Sequence, residues 1–261
     1  MNRRQFVKAT LVAYAASLLR ACGVRVQPTA PPPLDTAVPF ITPQRTLPAT
    51  PAPPTAVPTI GAKLLGNENR EGFYIRYYRA FPPPDRNAWR LRVEGMVESP
   101  VDFDYQTVLG WPSVAQVSRM KCVECWSAKA KWEGFTYATL ADIVKPSPLA
   151  THVRFECYDS YWEVVSIEEL RRPRILFVMK MNDELLADEY GSPMRMILPA
   201  KYGYKGAKAV HTLTFQAENG PGYWSYVGPY TISGDIVAGL DHPLDVLGGA
   251  RPIAGGEITD Y

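Results

Sequence analysis

The chain lacks most of what would place it quickly. It has no apolar run long enough to cross a bilayer. The run from Ala9 to Leu19 is about half of the roughly 20 residues a spanning helix needs. Only three histidines occur, His152, His211 and His242, and none has paired ligand spacing. That excludes a zinc centre built on histidines. There is no Cys-x-x-Cys-His motif, so the chain carries no c-type haem of its own. The net charge is only +2 with no basic run, which argues against a nucleic-acid partner. No internal repeat is present, which excludes a solenoid.

What is there begins with Arg3-Arg4, then Phe6, Lys8 and the short apolar run. This fits a twin-arginine export signal; an ordinary secretion signal with a chance Arg-Arg is the alternative. Leu19-Arg20-Ala21-Cys22 resembles a lipobox, with Arg20 where a small residue is usual. Residues 1–22 therefore read as the export segment. Acylation at Cys22 would anchor the protein to a membrane.

Residues 23–60 read as a linker. Positions 24–60 hold 11 of the 25 prolines, and such a stretch forms neither helix interiors nor ladders. As a polyproline-II stalk it would reach on the order of 115 Å; a disordered leader is the other reading. Residues 61–261 are enough for one domain with a substantial core.

Strand patterns dominate that domain: Trp89–Val93, Val114–Met120, His152–Cys157, Tyr161–Val165, Ile175–Met181, Met194–Leu198 and Ala209–Phe215. Ser166-Ile167-Glu168-Glu169 reads as a capping box opening a helix through Leu170. Thr139–Lys145 is a second helix, stopped by Pro146. Asn182-Asp183-Glu184 is a turn. The expected class is α+β, with mixed sheets and few short helices.

Two segments carry chemistry. Met120-Lys121-Cys122-Val123-Glu124-Cys125-Trp126 offers a thiol where a predicted strand ends, so its sulfur can point into a cleft. Pro199–Lys208 alternates Lys201, Lys205 and Lys208 with Gly203 and Gly206. Lysines on a glycine-punctuated loop can cradle a phosphate, or simply form a solvated face. One soft sulfur plus one anion cradle suits a metal whose other ligands arrive on a phosphorylated organic cofactor. Without Cys22, the cysteines Cys122, Cys125 and Cys157 are odd in number, which flags a thiol with a task other than a disulfide. Cys122 as a small buried hydrophobe is the plain alternative. Cys125 makes a Cys-x-x-Cys with Cys122, a spacing that also suits zinc or a redox disulfide. His152 and His211, in predicted strands, read as packed residues. Gly222-Tyr223-Trp224 reads as an aromatic loop, at a site mouth or in the core.

These two segments, with Gly191-Ser192-Pro193-Met194-Arg195 between them, resemble the sulfite-oxidase-like molybdopterin-binding family over roughly residues 64–243. The Cys-Val-Glu-x-Trp-Ser run is similar to that of the branch that reduces methionine sulfoxide. The resemblance implies that Cys122 ligates molybdenum beside the two dithiolene sulfurs of molybdopterin. It implies that Gly206, Ala207 and Lys208 contact the cofactor phosphate, and that Arg195 grips the pterin with two parallel donors. Phe73-Tyr74-Ile75-Arg76-Tyr77-Tyr78 resembles the family's pterin-contacting strip. Through it Tyr74, Ile75 and Arg76 become cofactor contacts, Arg76 with a catalytic role as well, while Tyr77 and Tyr78 depart from the family's Asn-His. Cys157 and Tyr190 match further cofactor-contacting positions, and the resemblance implies that Cys125 packs beside Cys122. Asp241-His242-Pro243 resembles the end of the family's domain, with no role assigned.

The expected function is that of an exported molybdenum oxidoreductase. It would transfer one oxygen atom, reducing an S-oxide such as methionine sulfoxide, with electrons from a membrane haem protein. The expected state is a monomer without the dimerisation domain of the eukaryotic sulfite oxidases. Sulfite oxidation is the rival activity, and it calls for several arginines around a dianion. A cofactor-free binding lipoprotein is the rival of another class.

Overall fold

The structure is a computed structural model that describes residues 64–69, 72–124, 126–241 and 251–252. The segment read as an export signal, Cys22, the proline-rich stretch, Cys125 and His242 lie outside the described residues.

Fourteen strands are described: β1 Glu68–Asn69, β2 Tyr74–Ile75, β3 Arg90–Gly95, β4 Val101–Asp104, β5 Val114–Lys121, β6 Ser127–Phe135, β7 His152–Cys157, β8 Trp162–Ser166, β9 Leu176–Met181, β10 Glu184–Leu185, β11 Arg195–Ile197, β12 Val210–Gln216, β13 Leu240–Asp241 and β14 Arg251–Pro252. The described helices are short: α1 Tyr105–Leu109, α2 Tyr137–Val144, α3 Ile167–Leu170 and α4 Tyr223–Val227.

Side-chain caps set the helix starts. Asp104 Oδ1 accepts the Thr107 N–H at 2.7 Å, and Ser166 Oγ accepts that of Glu169 at 3.1 Å. Each satisfies a donor that the first turn leaves free. Helix α2 starts two residues earlier than its pattern suggests, because Thr136 rather than a later residue caps it. It ends at Lys145, which turns left-handed just before Pro146.

Two five-stranded sheets make the body. One runs β4-β3-β12-β7-β8, with β3 and β12 parallel and the other pairs antiparallel. The other runs β10-β9-β6-β5, and β11 shares the edge of β9 with β10. Between them lies the main core, with Leu91 and Val93 of β3, Phe155 of β7, Leu213 and Phe215 of β12, and Phe177 of β9. Phe135 stacks on Phe177 at 4.8 Å.

Strand β9 is buried on both faces. Phe177 and Met179 face the main core, while Leu176 and Val178 join a second cluster with Trp132, Ala128 and Ala130. The expectation of mixed sheets with few helices therefore holds. Strand β6 escaped the sequence reading. Its Ser-Ala-Lys-Ala-Lys-Trp start mixes small residues with lysines, and only the pleat separates buried Ala128, Ala130 and Trp132 from the flanking lysines. Gly134 permits a close approach of β6 to β9, since a Cβ there would lie 1.9 Å from the Phe177 carbonyl oxygen.

Candidate active site

The motifs singled out in the sequence meet at one cleft of about 360 Å³, within the size range of small-molecule and cofactor sites. Cys122 lines it, one residue beyond the end of β5. The β5–β6 hairpin loop holds the thiol there, with the Cys122 N–H donating to the Trp126 carbonyl at 2.9 Å. Val123 anchors the loop by packing with Tyr202 and Tyr230. A parallel bridge between Lys121 and Tyr202 brings the glycine-punctuated segment alongside.

Tyr74, Ile75, Arg76, Tyr190, Arg195, Gly206 and Lys208 line the same cleft. Gly191 lets two of these cations sit together. Its φ of 108° suits glycine, and a Cβ there would meet the Lys208 Cβ at 3.0 Å and the Arg195 Cβ at 3.2 Å. Ala209, left-handed at φ 51°, follows Lys208 directly, a strained conformation of the kind that concentrates at functional sites.

Arg195 is only 2% exposed. Its Nη1 donates to the Tyr190 carbonyl at 2.9 Å, its Nη2 reaches the Met120 sulfur at 3.4 Å, and its guanidinium lies 5.2 Å from the Trp132 ring. None of these partners is negatively charged. Its buried Nε meets no hydrogen-bond acceptor among the described residues. Burial pushes its pKa down to about 10. A buried guanidinium in this state calls for an acceptor from outside the chain.

Lys208 is half-buried, and its ammonium lies 3.7 Å from the Tyr77 ring centroid while donating to the Arg76 carbonyl. Desolvation, then the charge of Arg195, brings its pKa down to about 7, against an opposing pull from Asp159. An anionic ligand would relieve both cations. The residues present thus fit a cofactor carrying a phosphate and polar ring edges.

Other expectations need correction. Lys201 and Lys205 do not join the cradle. Lys201 pairs with Asp235 at 2.6 Å and with Glu169 at 3.3 Å. Lys205 is 3% exposed and bonds Glu163, which is fully buried, at 2.6 Å. It also donates to the Val164 and Ile232 carbonyls at 2.9 and 2.8 Å, so its three donors are all taken. Ala207 is buried, and its N–H is spent on the Lys205 carbonyl at 3.2 Å. Cys157 ends β7 inside the core rather than on the cleft wall. Burial raises its pKa, and the Lys208 backbone N–H faces its sulfur, so it supports Lys208 from behind. The segment Gly222-Tyr223-Trp224 opens helix α4 rather than a loop, with Trp224 on the cleft wall. His152 and His211 sit in strands β7 and β12 as the sequence places them, each at a half-exposed position.

Glu124, Tyr161 and Asp159 are among the lining residues that sequence reasoning left without a role. Glu124 lies inside the cysteine motif and accepts from Arg76 Nε at 2.8 Å. Tyr161 places its hydroxyl 2.9 Å from Glu163 Oε2 and 2.5 Å from the Tyr204 carbonyl. Asp159 sits at the β7–β8 hairpin, where Asp-Ser is a turn signal.

Residues 79–224 match the family of the oxidoreductase molybdopterin binding domain. The chain belongs to that family and carries its molybdopterin-binding oxidoreductase domain on a sulfite-oxidase-like fold. It is 30% identical over 175 residues to the catalytic subunit of the protein-methionine-sulfoxide reductase MsrP of Gluconobacter oxydans (strain 621H), covering 59% of this chain and 56% of that protein. The sulfane dehydrogenase SoxCD of Paracoccus pantotrophus shares the fold, with a TM-score of 0.51 at 17% identity over 75% of this chain and 62% of that one. The chain thus spans less than two thirds of either relative. Tyr74, Ile75 and Arg76 lie before the matched family segment, yet they line its cleft.

Proposed function

We propose that the chain is an exported oxygen-atom transferase that reduces S-oxides such as methionine sulfoxide. Cys122 would be the protein's ligand to molybdenum. When bound, the cofactor supplies a two-electron centre at which an oxygen atom can be exchanged. A membrane haem protein would deliver the electrons.

The rest is the work of side chains on this chain. Arg195 and Lys208 would hold the cofactor's anionic and polar edges through charge-assisted bonds. Tyr74, Tyr78, Trp224 and Tyr230 give the cleft an aromatic lining, suited to an uncharged sulfur compound.

One observation carries the choice of substrate. Arg76, a candidate among the several arginines a sulfite site would need, is already paired with Glu124 at 2.8 Å. The other lining cations, Arg195 and Lys208, would be taken up by the cofactor's anionic and polar edges, which leaves no lining cation over to hold a dianion. This balance favours a neutral substrate over a dianion. Similarity to a methionine-sulfoxide reductase subunit supports the same reading.

The test is turnover by protein purified from a molybdenum-replete host, with an artificial electron donor or acceptor. Reduction of methionine sulfoxide without oxidation of sulfite is the expected result. Oxidation of sulfite alone would replace this reading with its rival.

A further inference from the structure

One wall of the cleft is built by Tyr74, Ile75, Arg76, Tyr77 and Tyr78. The described ladders of this segment are internal to it. Strand β2 pairs with β1, and Leu65 exchanges both backbone bonds with Phe81. Its polar ties to the body run through side chains. Arg76 bonds Glu124 at 2.8 Å, the Tyr77 hydroxyl donates to the Asp188 carbonyl at 2.8 Å, and Lys208 donates to the Arg76 carbonyl.

Tyr78 also meets Tyr223 of α4 through its hydroxyl and ring, and a further tie is Asp159, 4% exposed and lining the cleft. Its Oδ1 accepts the Tyr161 N–H at 3.0 Å, a local turn bond that orients the carboxylate. Its Oδ2 accepts the Tyr78 N–H at 2.8 Å, across 81 positions of sequence. Ser160, left-handed at φ 66°, makes the turn between these partners. Tyr78 and Tyr161 both line the cleft. One carboxylate therefore clasps two parts of the cofactor site that no described ladder joins, and its charge also attracts Lys208.

We infer that Asp159 is a positioning residue of the cofactor site. It fastens the Tyr74–Tyr78 wall onto the β7–β8 hairpin, so that the wall closes over bound cofactor and keeps it from leaving. The inference rests on the molybdopterin assignment and adds to it a residue that would retain the cofactor from outside the phosphate contacts. Asp159 acts through the backbone of Tyr78 and holds no part of the cofactor itself.

The experiment compares Asp159→Ala and Asp159→Asn in the full chain with the native protein, each expressed with molybdenum. Hydrogen exchange of peptides covering residues 73–78 is read in the loaded proteins, together with the rate at which pterin fluorescence appears on dilution. Loss of a bond to a carboxylate should speed both in the alanine variant by about tenfold or more. The asparagine variant, which keeps one carbonyl acceptor, should fall between it and the native protein. Peptides from β3 and β12 should exchange as in the native protein. Unchanged exchange over 73–78, native cofactor retention, or equal acceleration in β3 and β12 would each overturn the proposal. Should the alanine variant fail to fold, native retention in the asparagine variant alone would do so. A native protein purified without pterin would instead sink the cofactor assignment, before any variant is compared.

Discussion

Glu124 holds Arg76 at 2.8 Å through one oxygen and accepts the Trp126 indole N–H at 3.1 Å through the other. The carboxylate thus closes the cysteine loop on itself and ties it to the opposite wall. Trp126 in turn packs edge-on to Tyr74 and Phe73 at 5.5 and 6.1 Å. Position and charge beside Cys122 are set by the same group.

Glu124→Gln should therefore release the charge of Arg76 without moving it far. Inhibition of sulfoxide turnover by sulfite or sulfate should tighten by roughly two- to fivefold, the range for a partly exposed ion pair. Inhibition constants measured at fixed ionic strength check this. No change in them would mean that Glu124 does not screen the site from anions.

Cys122→Ser should abolish turnover while the domain stays folded. The thiol is only half-buried at a hairpin loop, so its loss leaves the core intact. A hydroxyl is a harder and far less acidic ligand than a thiol. Turnover, molybdenum content and a thermal melt test this together; near-native activity would remove Cys122 from the metal.

Lys205→Met and Lys208→Met should separate fold from cofactor. The first strands Glu163 fully buried and unpaired, at a cost of about 3–5 kcal/mol. The second leaves the fold near native but should weaken cofactor retention roughly ten- to a hundredfold, through loss of a charge-assisted bond. Urea midpoints and pterin retention on both variants give the comparison, and the opposite pattern would reverse the assignments of the two lysines.

Stability should fall in mild acid partly through His211. Burial lowers its pKa, with Glu156 opposing and Arg92 adding to the shift. The unfolded chain then binds protons more readily, so stability rises with pH across this titration. The contribution is complete above the ordinary histidine value near 6.5 and is lost as pH falls through the lower folded value. Urea unfolding at pH 7.5 and 5.5 should show this loss, and His211→Gln should reduce it.

Much of the architecture was open to a reader of the sequence because its signals are local. Strand β7 lies where alternation in His152–Cys157 places it, and Ser166 caps α3 as its capping box implies. Helix α4 and strand β6 were not open in this way. The five residues of α4 are too few to show a helical period, and β6 shows its two faces only once β5 and β9 flank it. At the site, Cys122, Arg195 and Lys208 stood out through the resemblance of their motifs to the family's, and they share one cleft.

The sequence alone determined the residue types, their order and the local turns: a thiol at a strand end, an arginine after Gly191, a lysine after Gly206. Only the tertiary structure decided which charges remain available to a ligand. Lys201, Lys205 and Lys208 are alike in sequence, differing by three or four positions. Lys205 meets the buried carboxylate of Glu163 and Lys201 meets Asp235, so two of the charges are spent inside the protein. Lys208 meets a carbonyl and an aromatic face beside the unpaired Nε of Arg195. The reason is physical: an ion pair depends on distance and desolvation in three dimensions, and the partners come from segments tens of residues away in the chain.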